Sequence, residues 1–120
     1  MEILPSEAFP ISNGMDENRH ERIKEAIREH AASYLVRNAG PQSLITVTQV
    51  LLSENNGSAT VCVTVLPESA EGVALAFANR NRKDFADYLM KHVRGMRLPH
   101  IEFVLDMGEK NRQRLDELPH

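Results

Sequence analysis

Two β-patterned stretches are separated by a helical segment, Glu68 to Leu98, whose middle is six polar residues in a row: Asn79-Arg80-Asn81-Arg82-Lys83-Asp84. Upstream, Ala70, Val73, Ala74 and Phe77 share one helical face; downstream, Phe85, Tyr88, Leu89, Val93 and Met96 share another. At 3.6 residues per turn the second stripe is rotated by roughly 80° from the first. One straight helix cannot lay both stripes on the same sheet, whereas two helices joined at a bend can. The pattern therefore predicts a bend holding three cations, Arg80, Arg82 and Lys83, beside the exposed amides of a helix N-terminus. Such a corner suits phosphate.

The rest of the chain supplies the sheet that this bend must pack against. Leu44 to Leu52 and Ala59 to Leu66 are rich in Val, Thr and Ile, and Ser53-Glu54-Asn55-Asn56-Gly57-Ser58 between them has hairpin-turn chemistry. Ile101, Phe103 and Leu105 alternate with Glu102 and Val104 as a third strand, after Arg97-Leu98-Pro99 forces the chain extended. Before the hairpin, a helix is predicted from Asp16 as N-cap, with Ile23, Ala26, Ile27, Ala31, Tyr34 and Leu35 on one face and Gly40-Pro41 as its stop. A short helix from about Glu109 to Leu118 closes the chain. The region up to residue 15 lacks periodicity and contains Pro5, Pro10, Asn13 and Gly14, so it reads as a tail, with Met15 a candidate start. Residues 16–118 then form one α+β domain, a three-stranded sheet packed against helices, with 119–120 as its end. The order helix, strand, strand, helix, bend, helix, strand resembles a type II KH module, although the GxxG loop of such modules is absent.

Charge and composition exclude several classes. With 120 residues and 42% apolar content the chain can bury one core. The absence of Trp, with only two Tyr, argues against a sheet that reads bases by aromatic stacking. The single cysteine, Cys62, builds neither a disulfide framework nor a cysteine zinc site, and no basic leader or membrane-length apolar run is present, so cytoplasmic residence is expected. The net charge of −3 hides segregation: four of the 17 acids lie in the first 18 residues, which hold no Lys or Arg, whereas Arg80 to Arg97 has six basic and two acidic residues. Binding to nucleic acid would then depend on matching one surface to one partner. Histidines 20, 30, 92, 100 and 120 are scattered without a ligand pattern, and His92 reads as a packed side chain on an apolar face. Glu102 and Asp106, four apart on a strand, would lie ~13 Å from one another, too far for a retaining glycosidase pair. No nucleophile set or phosphate-binding glycine loop is present. Neither enzymatic activity nor a cofactor, metal or small-molecule substrate is expected.

Several pieces occur together in a recognisable order. These are Arg19-His20-Glu21-Arg22-Ile23 with Ile27 and Leu35; Ile45 to Val50 with Ser53 and Ala59 to Val65; Arg97-Leu98-Pro99-His100-Ile101-Glu102-Phe103; and Asp106 followed by Arg114-Leu115-Asp116-Glu117-Leu118. From Arg19 to Leu118 the chain resembles the ribosome-binding factor A family of bacterial small-subunit maturation factors. It departs from the family pattern at the bend, where Arg82-Lys83-Asp84 precede Phe85 in place of an Ala-x-Gly kink. The stretch Phe85 to Pro99 is one residue short, and Gly108 replaces a common Ser. The resemblance implies a KH-like domain that binds immature small (30S) subunits near the junction of head and body. It further implies help in late 16S rRNA maturation without chemistry of its own, by a factor that is monomeric when free and does not engage membranes.

Under that resemblance the RNA-contacting candidates are Arg80, Arg82 and Lys83 at the bend, Arg94 and Arg97 beyond it, Arg19 and Arg22 on the first helix, and Arg114 near the end. Each has a plainer alternative. The bend cations could be a solvated corner, Arg22 could pair with Glu25 or Glu29, Lys91 with Asp87, and Arg114 could serve the sheet edge. A protein-interaction module of the same fold is the competing class, and salt dependence of binding separates it from an RNA binder.

Overall fold

A computed structural model of the protein describes the backbone of residues 10–38, 43–93, 97 and 99–117, and the side chains of residues 18–38, 43–93, 97 and 99–112. Helix α1 (Pro10–Asn38) leads into strand β1 (Leu44–Leu52), strand β2 (Ser58–Leu66), a 3₁₀ turn (Glu68–Ala70), helix α2 (Glu71–Arg80), helix α3 (Arg82–His92), strand β3 (His100–Leu105) and helix α4 (Met107–Glu117). The sheet order is β1-β2-β3. β1 and β2 are antiparallel, and β2 and β3 parallel, with the crossover made by α2 and α3. The α+β class, the hairpin and the third strand agree with the sequence pattern.

The core face follows from strand alternation. Ala59, Val61, Val63 and Val65 of β2 point the same way as their partners Ile45, Val47 and Val50 on β1 and Ile101 and Phe103 on β3, and all are buried. Ile23, Ile27, Ala31, Tyr34 and Leu35 of α1, Ala74 and Ala78 of α2, and Phe85, Ala86 and Leu89 of α3 complete this core. Removing each large side chain from water contributes roughly 1.5–3 kcal/mol, so the face holds the helices without help from surface charges. A bulge between Val47 and Gln49 interrupts the first ladder. There the Thr48 hydroxyl donates to the Asp106 carboxylate and to the Cys62 carbonyl.

Three local expectations are corrected. Helix α1 begins at Pro10, so Asp16 lies inside it and is not its cap. Proline suits a first helical position because its missing N–H is one the helix would leave unsatisfied. On α2, Val73 faces outward and is 78% exposed; the buried positions are Ala74 and Ala78, flanked by Ala70, Leu75 and Phe77. On a straight helix Ala74, Ala78, Phe85 and Leu89 would fall within roughly 60° of one another, so the expected rotation between stripes is not what creates the break. Finally, α3 ends at His92, because Val93 turns extended (φ −125°, ψ 113°); Met96, expected on the same helix, lies outside the described residues.

Candidate nucleic-acid interface

The break falls at Asn81, whose ψ of 12° departs by about 50° from the helical value and tips the following peptide off the α2 axis. Its φ of −101° is open to any L-residue, so the bend needs no glycine. The Asn81 side-chain amide donates to the Phe77 carbonyl at 2.8 Å, while its backbone N–H is shared between the Phe77 and Ala78 carbonyls. Helix α3 then starts afresh at Arg82 without a side-chain cap. The bend is thus closed by an asparagine bonded back to the preceding turn, with no glycine.

The six polar residues divide into two sets. Asn79 reaches the outer edge of β3, where its amide donates to the Phe103 carbonyl and its oxygen accepts from the Phe103 N–H, both at 2.9 Å. One side chain therefore does for Phe103 what a fourth strand would do, and it closes part of an exposed edge. Asp84 accepts a 2.6 Å hydrogen bond from the Tyr34 hydroxyl, which ties α3 to α1. Burial, and secondarily this carboxylate, push the Tyr34 phenol up to about 12. Asn79, Asn81 and Asp84 are structural. Arg80, Arg82 and Lys83 are exposed, and none makes an ion pair or hydrogen bond with another described side chain. This division holds the segment at residues 79, 81 and 84 and leaves the three cations between them exposed.

Other predicted positions scatter. Arg19 and Arg97 line one cleft with Ile23, Asn55 and Asn56, at the hairpin end of α1. Arg22 lies with Asn18, Glu21 and Glu25 in a shallower and more acidic depression. Glu25 pairs with Arg28, so it does not hold Arg22, and Lys91 and Asp87 do not pair. Arg94, and the side chain of Arg114, lie outside the described residues. Sequence reasoning missed Arg37, an exposed cation one turn beyond Tyr34. Its guanidinium donates to the Tyr88 hydroxyl and lies 5.2 Å from the Tyr88 ring centroid. Its spacing of three from Tyr34 is the signal that places it on the α3 side of α1.

Groups read as chemical candidates have structural settings. Asp106 is not a strand residue paired with Glu102. It precedes α4 and caps it, its Oδ1 accepting from the Glu109 N–H at 2.9 Å. Cys62 is buried beside it, and desolvation, then the Asp106 charge, push its thiol up. His92 is exposed rather than half-buried, its ring 4.2 Å from that of Tyr88. Lys110 bonds Glu71 and Glu68, and these contacts, Glu71 foremost, hold its pKa above the ordinary lysine value and fasten α4 to the start of α2. Among the described residues no three His, Cys, Asp or Glu side chains gather as a metal site, and no helix is long and apolar enough to cross a membrane.

Fold and site together define a KH-like α+β domain with a basic interhelical corner. The chain belongs to the ribosome-binding factor A family, whose sequence model matches residues 19–119. It is 31% identical over 104 residues to ribosome-binding factor A of Koribacter versatilis, covering 84% of this chain and 85% of that one. The crystal structure of ribosome-binding factor A from Thermus thermophilus superposes with a TM-score of 0.64 at 26% identity, over 72% of this chain and 94% of that one. A homology model of the Thermus thermophilus factor, as fitted into the cryo-EM map of its complex with 30S, matches with a TM-score of 0.52 at 28% identity, over 72% and 89% of the two chains.

Proposed function

We propose that this protein binds the immature small ribosomal subunit in the cytoplasm and assists late maturation of its 16S rRNA, with Arg80, Arg82 and Lys83 on RNA phosphates. The observation that carries the reading is the division of labour at the bend. Three cations without partners among the described residues sit between three side chains that fix the backbone beneath them. Membership of the ribosome-binding factor A family, and a relative fitted into a 30S complex, support this choice of partner. The RNA-binding unit is residues 16–118, acting as a monomer, and its work is done by binding energy rather than by catalysis. A factor of this kind favours one RNA arrangement in proportion to its difference in affinity for immature and mature particles.

Sedimentation of cell lysate tests the reading. Comigration with free small subunits, and not with whole ribosomes, is expected, and replacing the three bend cations by Gln should move the protein toward the top of the gradient. Confinement of the native protein to the top fraction in growing cells would contradict it.

A further inference from the structure

Rings as well as cations gather beside the bend. The chain has two tyrosines and no tryptophan, and both tyrosines stand where α1 meets α3. From Phe103 in the core a ladder of rings climbs to the surface. Phe85 lies 5.8 Å from Phe103, Tyr34 5.2 Å from Phe85, Tyr88 5.6 Å from Tyr34, and His92 4.2 Å from Tyr88. Phe103, Phe85 and Tyr34 are buried, Tyr88 is half-buried and His92 is exposed. Asp84, Tyr88 and His92 lie four apart on α3 and so share one stripe, whose first member holds Tyr34. The outer rings are fixed from several sides. The Arg37 guanidinium donates to the Tyr88 hydroxyl and lies 5.2 Å from its ring centroid, a cation–π distance. His30 meets the Tyr88 ring edge-on at 5.8 Å. The His92 Nδ1–H donates to the Tyr88 carbonyl at 2.8 Å, and the planes of the two rings are tilted by 33°.

An exposed ring held in this way is preorganised, because little rotamer freedom remains to be lost when a second flat group lies on it. Proteins hold single strands without regard to sequence by pairing a cationic track for the phosphates with rings on which the bases stack. Both halves are present along α3. Arg82 and Lys83 begin the helix and His92 ends it, so its 11 residues place the two features about 15 Å apart, within reach of one short strand. We propose that His92, supported by Tyr88, is a stacking platform for one unpaired base of the RNA whose phosphates meet the bend. This deepens the proposed function and rests on it. Arg37 and His30 are positioning residues, since they act through the Tyr88 ring. Cations alone hold any backbone of matching charge, whereas a base can lie on His92 only where the strand is unpaired. The platform thus adds a preference for rRNA that has not yet closed into a helix.

NMR titration of the full chain tests this with two probes, a hexa-adenosine ribonucleotide and linear polyphosphate, which has the charge of a strand and no base. The signals followed are the backbone amides of residues 80–84 and the ring protons of His92 and Tyr88. RNA should move both sets, the ring protons upfield under the ring current of a stacked base, and polyphosphate should move the bend amides alone. His92→Ala should bind the RNA about tenfold more weakly, the loss of one stacked base, with its salt slope unchanged. His92→Phe, which keeps a ring and removes the imidazole nitrogens, should restore the affinity. Polyphosphate binding equal to wild type in both variants shows that the fold and the bend are intact. A bend response to RNA with silent rings, as on a surface that serves a protein partner, overturns the platform and leaves the proposed function standing; silence at both overturns both. Rings that answer polyphosphate as they answer RNA, or a His92→Phe variant as weak as His92→Ala, make His92 an anion contact and overturn the stacking assignment.

Discussion

The bend between α2 and α3 and the cleft at the hairpin end offer similar chemistry, cations beside amide groups, yet they are built in opposite ways. At the bend, six consecutive residues hold both the exposed cations and the side chains that fix the backbone beneath them. In the cleft, the cations come from α1 and from the connection into β3, while the turn positions its own amides through His20 and Ser53. A substitution at the bend can therefore disturb fold and binding together, depending on which of two adjacent residues it strikes. One at the cleft strikes a residue from one of three separate segments. The contrast can be sharpened or broken by substitutions ordered by expected effect.

Phe85, fully buried against Tyr34 and Phe103, underlies the bend. Phe85→Ala should cost about 3–5 kcal/mol of stability in urea titration, and a loss below ~1 kcal/mol would show that the bend is not packed as described. Asn79→Ala should cost about 2–3 kcal/mol, because it strips Phe103 of both edge hydrogen bonds. Hydrogen exchange at the Phe103 amide should accelerate in that variant while exchange in β1 is unchanged. Tyr34→Phe removes the bond to Asp84 and should cost about 1–2 kcal/mol near neutral pH. The raised phenol means that the native state holds its proton more tightly than the unfolded chain, whose ordinary value is 10.0. This contribution is complete below about pH 10 and is lost as pH rises through about 12. The stability difference between wild type and Tyr34→Phe should therefore shrink over that window and stay constant below it. Smallest in stability is Arg80→Gln/Arg82→Gln/Lys83→Gln, expected within about 0.5 kcal/mol of wild type by thermal melting.

The two regions also mark what the sequence makes legible. Strand alternation, the Asn-Gly turn and the length of the polar interruption are local signals, so the hairpin, the break in the helix and the three bend cations could all be read from neighbouring residues. The job of Asn79 could not, because its partner Phe103 lies 24 residues downstream and the bond exists only once β3 becomes a sheet edge. Val73 misled for a related reason. It fits an apolar stripe by spacing, but α2 buries its small residues Ala74 and Ala78, which let the helix approach the sheet closely. Arg19 and Arg97 were each legible as cations; their meeting over Asn55 and Asn56 needs three segments brought together by the fold. Asp16 resembled a cap because it precedes a clear apolar stripe, whereas the helix extends back to a proline that can start it.

The central claim is that Arg80, Arg82 and Lys83 serve RNA while Asn79, Asn81 and Asp84 serve the fold. Its most direct test is the salt dependence of affinity for purified immature small subunits, measured for wild type and for the triple Gln variant under conditions where both are folded. The account predicts that the slope of log affinity against log salt falls by about 2–3 units in the variant, one for each cation that meets a phosphate. An unchanged slope would contradict it and leave the bend as a solvated corner.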